Sequence, residues 1–126
     1  MITILTLFGC FVLACLAVFQ VFLIAGAPIG RYAWGGGNTV LPRNLRIASG
    51  ISVLLYMFFA VVLLSRAGVV QILPTGAFID IAAWVLTGYF CLGVLMNAIS
   101  RSRPERLVMT PVALFLALVF WGVAAS

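Results

Sequence analysis

Four stretches of apolar sequence, each close to twenty residues long, constrain this chain more than anything else in it: Ile2 to Ala25, Ile47 to Leu64, Phe78 to Ala98 and Leu107 to Ala125. Crossing a hydrocarbon core ~30 Å thick takes about 20 residues in an α-helix. Lipid offers no partner for a backbone N–H or C=O, so spans of this kind satisfy those groups internally, as helices. The expectation is an all-α, four-helix transmembrane bundle that occupies residues 1–126 as a single integral membrane domain.

Composition excludes the soluble alternative. Only 7% of the residues are charged and 66% are hydrophobic, whereas a soluble domain carries about 25% charged residues to face water. Of nine charges, seven are basic and all of those are arginines: Arg31, Arg43, Arg46, Arg66, Arg101, Arg103 and Arg106. The acids are Asp80 and Glu105, and the net charge is +5. Such a balance can signal a phosphate-neutralising face for nucleic acid. Here the arginines sit between the apolar runs, where they meet anionic lipid, so nucleic acid is not an expected partner.

The arginines also set a direction. The first loop, Gly26 to Leu45, and the boundary after it hold Arg31, Arg43 and Arg46, and the third loop holds Arg101, Arg103 and Arg106. Four spans put these two loops on one side, against Arg66 alone in the second loop. Positive residues are retained in the cytoplasm, so loops one and three are expected to face in and both termini to lie on the non-cytoplasmic side. Ala25-Gly26-Ala27 has the look of a signal-peptide cleavage site. The preceding segment has no positive start and its apolar run is too long for one, so it reads as a retained span.

Boundary signals add detail. Ser102-Arg103-Pro104-Glu105 fits a capping box, with Ser102 as N-cap and Glu105 reaching back to its amide, so the fourth helix is expected to begin near Arg103. Pro111 removes a backbone donor further in and predicts a bend. Gly68 and Pro74 break the chain in loop two.

Helices in lipid gain no hydrophobic drive from meeting, so small and weakly polar residues mark their contact faces. Each span owns one such stripe: Thr3, Thr6, Cys10, Ala17 and Gln20; Ser49, Ser52, Tyr56 and Ala60; Ala83, Thr87 and Cys91, with Gly88 beside them; Thr110, Ala113 and Ala117. These stripes either form a dry seam, or leave Gln20, Ser52, Tyr56 and Thr87 lining a small polar cavity. Phe11, Phe22, Phe58 and Phe59 are expected mostly to face lipid or neighbouring subunits. Cys10, Cys15 and Cys91 lie singly in apolar runs and read as packing residues, with no disulfide or metal pairing.

Two features carry candidate chemistry. Asp80, near the end of the third span, has Arg66 as a ready partner, and the pair reads as structural. The stretch Gly26 to Asn38 is rich in glycines whose amides can converge on an anion, with Arg31 adding charge. No Gly-Lys-Ser/Thr follows, so it is not a P-loop. The candidate anion or lipid-headgroup face comprises Gly30, Arg31, Trp34, Gly35, Gly36, Asn97, Arg101, Arg103 and Arg106. The alternative makes this loop an interfacial turn, with Tyr32 and Trp34 as headgroup anchors. Asn97 is placed to cap its helix, to bond across to loop one, or to hold a ligand.

No histidine, paired carboxylate, or nucleophile with a partner base is present, so no catalytic, metal or cofactor site is assigned. Two blocks, Gly26-Ala27-Pro28-x-Gly30…Trp34-Gly35-Gly36…Leu41-Pro42…Arg46 and Asn97-x-x-Ser100-Arg101-Ser102-x-x-Glu105-Arg106, resemble those of a group of uncharacterised small bacterial membrane proteins with four spans. The resemblance covers nearly the whole chain, implies a bacterial inner membrane, and places both blocks in cytoplasmic loops. The expected function is that of a non-enzymatic membrane protein whose basic, glycine-rich face binds lipid headgroups or a partner protein. The alternative is a small oligomeric transporter or channel. Membrane lipids, anionic ones among them, and a second copy or a partner membrane protein are the expected associates.

Overall fold

The computed structural model describes every residue, Met1–Ser126. It contains four long helices and no strand: α1 (Ile2–Ile24), α2 (Arg43–Ala67), α3 (Ala77–Ala98) and α4 (Arg103–Ala125). All four are long and apolar enough to cross a membrane, and the chain is a multi-pass membrane protein of the four-helix-bundle type. At 1.5 Å per residue, a helix the length of α1 is about 35 Å long. The outward side chains of the bundle, such as Phe8, Phe11, Leu54, Leu92 and Leu118, are exposed and apolar, as a lipid-facing surface requires.

Consecutive helices run antiparallel. Gly9 of α1 lies against Leu63 of α2 and Val119 of α4, while Ile24 at the far end of α1 reaches Gly50. On the other side Phe90 of α3 stacks on Phe120 of α4, ring centroids 5.3 Å apart. The most extensive packing joins α1 to α2 and α3 to α4, so the bundle is two helical hairpins set side by side. Helix α4 is its axis: Leu116, Ala117, Val119, Phe120 and Val123 are all buried. A Cβ on Gly9 would come within 2.8 Å of Val119 Cγ1, so glycine is what admits α1 to this close approach.

Several boundaries and faces differ from the sequence expectation. Helix α2 starts at Arg43 and ends at Ala67, longer at both ends than the apolar run Ile47 to Leu64, because polar turns remain helical once outside the hydrocarbon. Its end is a Schellman motif: Gly68 has φ 76°, its N–H donates to Ser65 O at 3.2 Å, and the Val69 N–H donates to Leu64 O at 3.1 Å. Helix α4 begins at Arg103 and runs unbroken through Pro111. No side chain caps its first turn, however; Glu105 and Ser102 bond elsewhere, as described below.

Phe59 is buried rather than lipid-facing, because it fills the junction where α2 meets α3, edge-on to Phe90 at 5.7 Å and to Tyr89 at 5.3 Å. Phe11, Phe22 and Phe58 do face outward. Thr3, Gly88 and Cys91 point away from the bundle, as does Cys15, whereas Thr6 and Gln20 of the α1 stripe and Ala83 and Thr87 of the α3 stripe are buried as expected. The buried stripe of α1 is Thr6, Gly9, Leu13, Gln20 and Leu23.

Candidate functional site

Loops one and three meet at the end of the bundle opposite the termini. Loop one folds as two single 3-10 turns, Gly30–Tyr32 and Trp34–Gly36. Gly30 is buried, and a Cβ there would lie 2.0 Å from the Asn38 carbonyl oxygen, so only glycine permits this fold-back. Gly36, at φ 72°, leaves equally little room: a Cβ would fall 2.2 Å from Ser102 Cβ. That contact is where the loops join. Ser102 Oγ donates to Arg31 O, and the Gly35 N–H donates to Glu105 Oε2 at 3.1 Å.

This geometry decides the fate of the glycine amides. The Gly30 N–H donates to Thr39 O at 2.8 Å, the Ala33 N–H to Gly30 O at 3.2 Å, and the Gly36 N–H to Ala33 O at 2.8 Å. The Gly35 N–H is taken by Glu105. The amides do not converge on an open anion site, because the chain satisfies them itself and supplies its own carboxylate at Gly35. Glu105 is buried, so this bond replaces the capping-box bond expected from its spacing to Ser102.

Trp34 is tied to the bundle by its indole nitrogen. Its φ of +52° is the only left-handed conformation outside glycine, and the side chain remains 43% exposed. Indole Nε1 donates to Ser49 Oγ at 3.1 Å, pinning loop one to α2 at a fully buried serine. A left-handed backbone on a bulky residue costs roughly 1–2 kcal/mol, and the indole bond offsets part of it.

The arginines of this end divide into two groups. Arg46 Nε donates to Leu41 O at 3.0 Å and Arg106 to Ser100 O at 3.1 Å, so both brace the loops. Arg31, Arg43, Arg101 and Arg103 are exposed, and their guanidinium groups make no ion pair or hydrogen bond within the chain. Asn97 neither caps nor crosses to loop one: Nδ2 donates back to Gly93 O at 2.8 Å, one turn earlier on α3. At the opposite end, Arg66 Nε lies 3.1 Å from Asp80 Oδ1, and Arg66 also donates to Ala124 O at 3.1 Å and Ser126 O at 2.9 Å. One guanidinium thus ties α2 to α3 and to the last carbonyls of α4.

Beneath the joined loops lies a cleft of about 680 Å³. Its back wall is Leu16, Phe19 and Gln20 of α1 with Met109, Val112 and Leu116 of α4. Ser52 and Tyr56 of α2 face Gly93, Met96 and Asn97 of α3 across it, and Tyr32, Trp34, Gly35 and Glu105 cover its loop end. Leu92, Met96 and Ile99 form an exposed rim, so the cleft opens sideways between α2 and α3. It stops where Phe59, Phe90 and Phe120 close against one another.

Of the four residues read as lining a polar cavity, Gln20, Ser52 and Tyr56 do so. Thr87 does not; it is buried near the aromatic junction and its hydroxyl donates to Ala83 O at 2.8 Å. Gln20 is 7% exposed and its Oε1 has no hydrogen-bond partner. Tyr89, Ser100 and Glu105 add further polar groups at the cleft; Tyr89 and Glu105 did not stand out in the sequence as site residues, since Glu105 read as a cap and Tyr89 lies in an apolar run.

Fold and site define a class: a multi-pass α-helical membrane protein with a covered, laterally open interior cleft. No protein-family model, curated protein or solved structure matches the chain, so no relative's chemistry bears on that cleft.

Proposed function

We propose that this chain is a non-enzymatic protein of the bacterial inner membrane, with loops one and three in the cytoplasm, whose arginine-rich end holds anionic lipid headgroups. The carrying observation is the set of four exposed, unpaired guanidinium groups, Arg31, Arg43, Arg101 and Arg103, gathered at one end of the bundle. Each arginine near an anionic membrane surface contributes about 1 kcal/mol of attraction. The joined loops supply a fixed platform, so the charges of loops one and three act on one patch of headgroups.

Native mass spectrometry of the purified protein with phosphatidylglycerol and cardiolipin tests this. Replacing Arg31, Arg101 and Arg103 together by Ala removes about 3 kcal/mol by the same measure, so retention should fall by well over tenfold. Phosphatidylcholine retention should stay the same. Equal anionic-lipid retention by the variant overturns the proposal.

The cleft favours a second reading, a small transporter working as an oligomer. Phe59, Phe90 and Phe120 block the route within one chain, so a path would run between copies. Solute flux into liposomes that persists when Phe120 is left intact and oligomers are dispersed would exclude that route.

A further inference from the structure

Membrane orientation asks only that arginines lie on one side. It does not ask that loops far apart in sequence be pinned together at those arginines, which is what this fold does. Arg31 and Ser102 are 71 residues apart, yet Ser102 Oγ donates to Arg31 O. A Cβ on Gly36 would stand 2.2 Å from Ser102 Cβ and 2.9 Å from Arg31 O, so three pieces of chain meet at one point. Arg101 and Arg103 flank Ser102, and neighbouring Cα atoms are about 3.8 Å apart. Three arginine side chains therefore start from the edges of a single contact.

That contact is fixed, and its charge is uncompensated. The Gly35 N–H bond to Glu105 Oε2 holds loop one to α4 a second time, and the Trp34 bond to Ser49 holds it to α2. Glu105, the one acid at this end, is buried and spent on that amide. Arg31, Arg101 and Arg103 are exposed and paired with nothing in the chain. With the loops pinned, the backbone cannot spread to relieve the repulsion among three like charges.

The surroundings indicate where a counter-charge comes from. Ile99, at the end of α3, and Leu107, one turn into α4, are 65% and 60% exposed. Each is four residues from Arg103, which on α4 is about 6 Å along the axis. Such an edge fits a charged head joined directly to hydrocarbon. A phosphodiester head such as that of phosphatidylglycerol is singly charged, because two of its oxygens are esterified. A monoester carries about −1.5 to −2 and three acceptor oxygens, one for each guanidinium fork.

We propose that Arg31, Arg101 and Arg103 form one seat for the terminal phosphomonoester of a membrane lipid, whose acyl chains lie over Ile99 and Leu107. The assignment rests on the lipid-binding reading of the arginine end and narrows it to one class of head.

Equimolar phosphatidate and phosphatidylglycerol, offered together to the intact protein in detergent, test it, with retained lipids counted by native mass spectrometry. At about pH 8 the parent should favour phosphatidate by about tenfold, the worth of one further charge-assisted bond. At about pH 5 the monoester has regained the proton it loses near pH 6, and the preference should shrink to about twofold or less. The guanidinium groups keep their charge throughout, and Glu105, bonded beneath the contact, serves both lipids alike. Arg31→Lys, Arg101→Lys and Arg103→Lys made together keep the charge and remove the forks. Phosphatidylglycerol retention should then persist while the preference falls to about twofold. Excess inorganic phosphate should displace little phosphatidate; complete displacement would give the seat to free phosphate and overturn the lipid assignment. Equal retention of both lipids by the parent at about pH 8, or an undiminished preference in the Lys variant, overturns the monoester seat and leaves the wider anionic-lipid reading standing. Retention of neither lipid overturns both.

Discussion

The two halves of this bundle are built from the same four helices and differ in what fills the space between them. Toward the termini, Leu63, Phe120 and Val123 close a dry core, and Arg66 ties three helices together at its edge. Toward loops one and three, α2 and α3 stand apart and leave the cleft. The connections make this difference. Gly68 turns α2 sharply toward α3 through a short loop, whereas loop one is long enough to fold into turns, wedge Tyr32 and Trp34 over the helix ends, and hold them by bonds to Ser49 and Glu105. A bilayer does not reward burying apolar surface, so a cleft that lipid-like chains can fill costs far less there than an empty cavity would in a soluble core.

Breaking the dry half should have the largest effect. Phe120→Ala removes the fully buried ring stacked on Phe90 and leaves a void in the core, at a cost of about 3 kcal/mol. Leu92→Ala, on the exposed rim of the cleft, should cost under ~0.5 kcal/mol, as outward substitutions do. Thermal melting in one detergent compares the two, and equal losses would remove the contrast between the halves.

The loop junction comes next. Glu105→Ala orphans the Gly35 N–H and should destabilise by about 1–3 kcal/mol, while Glu105→Gln keeps an acceptor oxygen in place and should recover most of it. Slow amide exchange at Gly35 in the parent and in the Gln variant, with fast exchange in the Ala variant, is the direct readout.

The smallest effect belongs to the ion pair. Asp80 is 58% exposed, so Asp80→Asn should cost well under ~1 kcal/mol. Arg66→Ala should cost more, because it also deprives the Ala124 and Ser126 carbonyls of their donor. Matching melting temperatures for the two variants would mean that the terminal carbonyl bonds contribute nothing.

Some of this was readable residue by residue. The α3 boundaries and the Gly68 break follow from apolar length and from one glycine, and the contacts of Ser49, Ala83, Ala113 and Ala117 follow from small residues at helical spacing. Arg66 and Asp80 are legible as partners because each is the charge nearest the other across a short loop. Phe59 was not legible: Phe58 and Phe59 are adjacent and alike in sequence, and only the meeting of α2 with α3 decides which one turns inward. Gly9 carried a usable signal, for it completes the three- and four-residue spacing of Thr6, Leu13 and Gln20. Glu105 carried a misleading one, since its spacing to Ser102 fits a cap that the fold does not use.

By itself, the sequence determined the four spans and the segregation of arginine into loops one and three, because hydrocarbon thickness and backbone satisfaction act on each segment separately. Only the tertiary structure decided that the amides of Gly30, Gly35 and Gly36 are spent on the chain itself, that the Trp34 indole bonds to Ser49, and that a cleft is left beneath the joined loops. Those outcomes depend on which side chains meet across helices far apart in the chain, and in lipid that is settled by fit between surfaces rather than by the hydrophobicity of any one of them.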